Sequence, residues 1–170
     1  CMVRSTVRIS HTRTVVEVGE RQEVPPIPYK TDQAHWVMMP AFARPRRLAA
    51  DERVRELEGY VETSPLNVIE LRDPSVGFVC SGAVYQHVRE ACPEASTLKL
   101  GLSYPLPAKL IASFFEQVER VYVVEEANDY YERAIRAMGH EPASWPSPLP
   151  RAFELSPALI ARALGDRDDT

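Results

Sequence analysis

The sequence predicts an α/β fold, a parallel sheet with helices on its faces. Two observations carry this. Residues 97–139 read as strand, helix, strand, helix, and within them Val121, Tyr122, Val123 and Val124 are apolar without alternation, as a parallel strand covered on both faces must be. The helix before that strand carries Leu110, Ile111, Phe114, Phe115 and Val118 in one stripe at the 3.6-residue period, so half of its surface belongs to a core.

In chain order, residues 3–9 and 14–18 are β-rich runs separated by Ser10, His11, Thr12 and Arg13, which reads as a hairpin or as the last strand of a preceding domain. The chain opens inside that first run with Cys1 where an initiator Met would stand, and this predicts a piece of a longer protein. From 24 to 46 come Pro25, Pro26, Pro28, Pro40 and Pro45, too many for a core element. Trp36, Val37, Met38, Met39 and Phe42 among them predict an ordered linker whose apolar residues cover a surface. Residues 45–64 read as a charged helix with Leu48, Val54, Leu57 and Val61 on a narrow face. Residues 67–71 and 76–80 read as strands joined by a turn at 72–75.

Ser81 is positioned to cap a helix whose Val84, Val88, Ala91 and Cys92 face inward and which Pro93 stops. The strand at 98–102 follows, and Pro105 and Pro107 end it. After the 121–124 strand, Asp129 is the expected N-cap of the next helix and Gly139 its stop. Residues 140–150 form a second proline-rich linker, and Ser156-Pro157 starts a short helix that ends at Gly165. The tail 166–170 is expected to fray. These boundaries give four regions: 1–19, the end of a preceding domain or a hairpin; 20–46, a linker; 47–140, the α/β domain; and 141–170, a linker and short helix.

Composition narrows the function. Twenty basic and 24 acidic residues give a net charge of −4, which argues against a nucleic-acid electrostatic footprint. No run of about 18 apolar residues is present to cross a membrane. Cys1, Cys80 and Cys92 show no metal-binding spacing and fit reduced thiols in a cytoplasm. His11 and His87 have no accompanying ligand set, so no metal site is expected.

The chemistry-bearing residues cluster at strand ends. Cys80-Ser81-Gly82 occupies a strand-to-helix turn, where nucleophile elbows and phosphate loops also occur, but Phe78 stands where an elbow needs glycine and only Gly82 is available for a phosphate loop. A capped tight turn is the preferred reading. Glu125 and Glu126 end a buried strand, where open α/β sheets bind ligands. Being adjacent they point to opposite faces and do not form a close acid/base pair; one is expected to cap a loop or contact another domain. Lys99, in an apolar strand, predicts an edge strand protected by a charge or a position at an interface, the edge being the default. A cysteine-nucleophile amidotransferase using Cys80 and His87 is disfavoured because His87 lies in the helix immediately following. A stand-alone α/β module binding a nucleotide or partner near Ser81, Gly82, Glu125 and Glu126 stays open.

Four stretches in order add a resemblance. LKLGLSYPLP followed by VYVVEE, VRSTVRISHTR, GFVCSGAVYQHVREA and ELSPALIARAL resemble segments of the α subunits of indolepyruvate ferredoxin oxidoreductases, within the thiamine diphosphate-dependent 2-oxoacid:ferredoxin oxidoreductases. Val7 stands where the family has threonine, and Phe153 where it has glycine. The resemblance implies a transketolase C-terminal-like domain, a three-layer α/β/α sandwich with a mostly parallel five-stranded sheet and an N-terminal extended linker. For the parent enzyme it implies thiamine diphosphate, magnesium and iron-sulfur clusters, oxidative decarboxylation of an arylpyruvate to an acyl-CoA, and ferredoxin as electron acceptor. The cofactor motifs are not in this chain, so the segment is expected to be non-catalytic and to contact neighbouring domains and a second subunit. Arg8, Ser10 and His11 match the family's segment nearest the cofactor, and fixing the linker by hydrogen bonds is their competing role.

Overall fold

The computed structural model describes residues 3, 5 and 7–165, without the side chain of Arg8; the expectations placed on Cys1 and on 166–170 fall outside these residues. The chain divides into two compact units, Cys1–Met38 and Met39–Thr170.

The first unit contains two single-turn helices, α1 (Val7–Ser10) and α2 (Gln33–Trp36), the latter capped by Asp32, whose Oδ1 accepts from the His35 N–H at 3.0 Å. Among the described residues the hairpin reading finds no ladder: 7–10 turns helical and 14–18 carries no regular structure. β-propensity expresses itself only through a ladder partner and a face to bury, and Val15 and Val18 are exposed. Of the linker residues expected to cover a surface, Trp36, Val37, Met38 and Met39 are exposed, Trp36 by 68% and Met38 by 64%, whereas Phe42 is half-buried.

The second unit opens with α3 (Pro40–Val61). It starts five residues before the expected Pro45, because Pro40 suits the first helical position after extended Met39, and Pro45 is accommodated inside it. Then follow β1 (Val68–Glu70), β2 (Asp73–Ser81), α4 (Gly82–Ala91), β3 (Ala95–Leu100), α5 (Ala108–Gln117), β4 (Val121–Val124), α6 (Tyr130–Ala137) and α7 (Pro157–Leu164). The sheet runs β1-β3-β2-β4, with β1 antiparallel to β3 and the others parallel.

Four strands stand where five were expected. Beyond β4, the segment read as a linker lies along the open edge: the Ala143 N–H donates to the Val121 carbonyl at 2.7 Å and the Trp145 indole N–H to the Val123 carbonyl at 3.2 Å. Pro142, Pro146, Pro148 and Pro150 lack the N–H groups a ladder needs, so this stretch straps the edge without becoming a strand. The turn expected at 72–75 is largely strand: β2 begins at Asp73, and its register with β3 shifts between Asp73 and Gly77. Ser96 bridges the irregularity, its hydroxyl accepting from the Arg72 N–H and donating to the Asp73 carbonyl.

Lys99 also departs from expectation. Its strand, β3, is internal, because β1 covers the side left open by β2. The ammonium lies 5.0 Å from the centre of the Tyr85 ring, so a charged tip rests on an aromatic face while its stem covers the sheet.

Both sheet faces are packed. On one, Val79, Leu98, Val121 and Val123 meet Ile111 and Phe114 of α5 and Ile135 of α6. On the other, Phe78, Cys80, Tyr122 and Val124 meet Val84 and Val88 of α4 and Ile160 of α7. Gly77 lets α5 approach: a Cβ there would sit 2.8 Å from both Phe114 Cζ and Val118 Cγ1.

Candidate functional site

The three parallel strands end together, β2 at Ser81, β3 at Leu100 and β4 at Val124. From β2 the chain passes to α4 on one face, and from β4 to α6 on the other. Between the ends of β2 and β4 the connections therefore diverge, the position at which open α/β sheets form a ligand crevice. Ser81, Gly82, Glu125 and Glu126 are brought to this end of the sheet.

Ser81, Glu125 and Glu126 are each held by a hydrogen-bond partner. Gly82 adopts φ +54°, which turns the chain from strand into helix. Ser81 occupies the N-cap position of α4 as expected, but its side chain makes no capping bond; its hydroxyl accepts instead from the Tyr131 hydroxyl at 3.0 Å, tying the end of β2 to α6. Glu125 accepts from the backbone N–H groups of Tyr131 at 2.8 Å and Glu132 at 3.0 Å. These are donors that an N-cap side chain ordinarily satisfies. Asp129, expected to cap α6, sits at the N-cap position without a side-chain capping bond and pairs with Arg133 and Arg151. Glu126 accepts from the Leu155 N–H at 2.9 Å and anchors the approach to α7.

A cavity of about 250 Å³ lies beside these groups, lined by Glu125, Asp129, Glu132, Trp145, Leu149 and Arg151 among others. Burial pushes the Glu125 carboxyl above its ordinary range, and the two N–H donors pull against that effect. The site can hold one partly desolvated carboxylate against a helix N-terminus; each of its other carboxylates named above already has a hydrogen-bond or ion-pair partner.

Cys80 is fully buried, and burial, reinforced by the Glu70 charge, pushes its thiol up to about 12. A thiolate nucleophile there is not accessible at neutral pH. His87 sits on α4 with Nε2 buried and without a hydrogen-bond partner. Among the described residues no group of three His, Cys, Asp or Glu side chains is placed to hold a metal ion.

Ser10 and His11 belong to the first unit. Ser10 Oγ lies 2.9 Å from Ser5 Oγ, the His11 N–H donates to the Val7 carbonyl, and both residues are exposed. The Arg8 side chain lies outside the described set.

Sequence reasoning missed Tyr131, the link between two strand ends, and two fasteners elsewhere in this unit. Glu62 accepts from the N–H groups of Lys109 and Leu110, both at 3.0 Å, and so caps α5 from the end of α3. Asn67 donates to the Val61 carbonyl and accepts from the N–H groups of Gly101 and Leu102. Gly101 has no room for a side chain, since a Cβ would stand 2.3 Å from the Leu66 carbonyl oxygen. The one local signal was the glycine itself, in a strand pattern.

Comparison with known proteins extends this picture. No family model matches the chain, and no solved structure matches it. Curated relatives do. The chain is 32% identical over 177 aligned residues to indolepyruvate oxidoreductase subunit IorA of Methanothermobacter marburgensis, covering 96% of this chain and 29% of that subunit. It is 33% identical over 144 residues to the IorA subunit of Archaeoglobus fulgidus, covering 81% of this chain and 23% of the relative. Against the subunit of Thermococcus kodakarensis it is 28% identical over 180 residues, covering 96% and 28%. The chain thus spans between a fifth and a third of the length of the relatives it matches, and over most of its own length it is a distant homologue of indolepyruvate oxidoreductase subunit IorA.

Proposed function

We propose that this chain is a non-catalytic scaffold segment of a thiamine diphosphate-dependent 2-oxoacid:ferredoxin oxidoreductase of the indolepyruvate type, located in the cytoplasm. In this reading residues 1–19 are the exit of a pyrimidine-binding domain, 20–46 a linker, 47–140 a transketolase C-terminal-like domain, and 141–170 a linker with its closing helix. Neighbouring domains, a second subunit and ferredoxin are its partners. The observation that carries the reading is the extent of the match, nearly all of this chain against under a third of a subunit of such an enzyme.

The strand-end chemistry supports it. The carboxylates Glu125 and Glu126 fasten backbone, and Ser81 fastens Tyr131. The described side chains offer no ligand set for an iron-sulfur cluster: no group of three His, Cys, Asp or Glu stands among them, and the Cys80 thiol is held protonated. In this reading thiamine diphosphate, magnesium and the clusters belong to other parts of the parent, and no step of the reaction is assigned to a side chain here.

The test is made in a complete oxidoreductase carrying this segment. Ser81→Ala, Glu126→Gln, Ser10→Ala and His11→Ala are expected to leave kcat for arylpyruvate-dependent ferredoxin reduction within about threefold, since none of these groups makes an interaction specific to the transition state. A hundredfold loss of kcat in a variant with unchanged thermal unfolding would place catalysis in this segment. The cavity beside Glu125 favours one second reading, a nucleotide- or partner-binding module. Under that reading ATP or NAD would raise the melting temperature of the 170-residue chain, and Trp145→Ala would abolish the shift.

A further inference from the structure

The two edges of the sheet are treated differently. The β4 edge is closed by the strap, whereas among the described residues no strand lies beyond β1 and no backbone hydrogen bond reaches it except those of its ladder with β3. An open edge presents unpaired N–H and C=O groups, and what satisfies them is another extended backbone. β1 has only three residues, so its ladder is a weak recruiter by itself and side chains must select the partner.

Those side chains stand on the α4 side of the sheet. Side chains alternate along a strand, so Val68 and Glu70 share that side with Lys99 and Thr97, the residues opposite them in β3. The Glu70 carboxylate is engaged at both oxygens: Oε1 accepts from the Tyr85 hydroxyl at 2.6 Å, and Oε2 lies 3.9 Å from Arg89 Nε. Lys99 is left with the face of the Tyr85 ring and, among the described residues, with no carboxylate. Arg89 and Lys99 thus stand against one acid at half-buried positions, where an unmatched charge is costly.

We infer that the outer edge of β1 is a docking site for an extended segment of a partner protein, which adds to the sheet beside β1 and places an aspartate or glutamate over Val68 against the Lys99 ammonium. The edge sets the partner's backbone, and the unmatched cation sets its side chain. The incoming segment lies two strand spacings from β3, about 10 Å, a span that a lysine and a glutamate side chain bridge between them. Leu66 and Leu71, half exposed on either side of β1, offer apolar contacts to the residues flanking that acid. The surface is independent of the reaction that the longer enzyme performs.

The test uses the 170-residue chain and fluorescein-labelled peptides of alternating Thr and Val, in which one glutamate is moved along the sequence and lysine at the same place is the control. By fluorescence anisotropy one glutamate peptide is expected to bind at least about tenfold more tightly than its lysine counterpart. The same peptide is expected to protect the amides of residues 68–70 from hydrogen exchange. Lys99→Gln is expected to bring the two peptides within about threefold of each other, with circular dichroism showing the fold unchanged. Should that variant unfold, salt replaces it: binding of the glutamate peptide to the unaltered chain weakens as ionic strength rises, and indifference to salt counts against the ammonium. Failure of every peptide to bind at about 1 mM, equal binding of the glutamate and lysine peptides, or binding that leaves the β1 amides unprotected overturns the proposal. So does an edge already taken by a second copy, seen in ultracentrifugation as a dimer whose β1 amides are protected before any peptide is added.

Discussion

The two proline-rich segments contain similar residues and meet different fates. Between 24 and 38, Tyr29 is 84% exposed and, among the described residues, the ring contact of Trp36 is with its neighbour His35. Between 140 and 150, Trp145 lies 4.9 Å from Tyr122 and 6.2 Å from Phe78, ring centre to ring centre, and its indole N–H is bonded to the sheet. Proline content does not separate the two. The second segment meets a strand edge with unpaired carbonyls and an aromatic face beside it; among the described residues of its own unit the first has no strand to lie against. Whether a proline-rich stretch is a tether or a structural part is decided by what backbone groups it can satisfy.

This contrast can be broken most forcefully at the tryptophans. Trp145→Ala removes packing on two core rings and a hydrogen bond to Val123, and is expected to cost about 3 kcal/mol in urea unfolding. Trp36→Ala is expected to stay within about 0.5 kcal/mol, as exposed substitutions do. Equal losses would mean that the first segment is as well fastened as the second. Next comes the anchor beyond the strap: Glu126→Ala leaves the Leu155 N–H without its carboxylate and is expected to cost about 1 kcal/mol. No change there would show that α7 holds the strap without this bond.

The finest probe is pH. Trp145 and Glu125 line the same cavity, so the strap contributes to the burial that raises the Glu125 carboxyl above its ordinary 4.5. A carboxyl raised in the folded state contributes stability that is fully present below 4.5 and is lost as pH rises through the folded value. The stability of the native chain relative to Glu125→Gln is therefore expected to fall as pH rises through that window. In the Trp145→Ala background the fall should shrink, because water enters. A carboxyl titration followed by NMR that is identical with and without the indole would separate Glu125 from the strap.

Much of the fold was legible where the signal is local. The run Val121 to Val124 forms a strand buried on both faces. Gly139 and Gly165 end their helices with φ of +91° and +88°, and Ser156 caps α7 through its own hydroxyl. What escaped depends on partners distant in sequence. Ser81 and Asp129 stand at N-cap positions, but their side chains bond elsewhere, and Glu125 and Glu62 cap α6 and α5 from outside those helices. Periodicity carries no trace of such a bond. Lys99 was misplaced for the same reason, since whether a strand is central depends on β1, which lies well before it in the chain. At the candidate site, the convergence of Ser81 with Glu125 and Glu126 followed from strand-end logic, whereas Tyr131 presented only another aromatic on a helix stripe.

The strap has a consequence for how the chain is made. It lies C-terminal to the edge it closes, so β4 leaves the ribosome before Ala143 and Trp145 do. For that interval the carbonyls of Val121 and Val123 are an open template to which the strand of another nascent chain can add. Once the strap is laid down, growth of the sheet on that side is blocked by a segment whose prolines cannot themselves recruit a further strand. A short stretch of irregular chain thus sets the moment at which the β4 edge is closed to other strands during the chain's own synthesis.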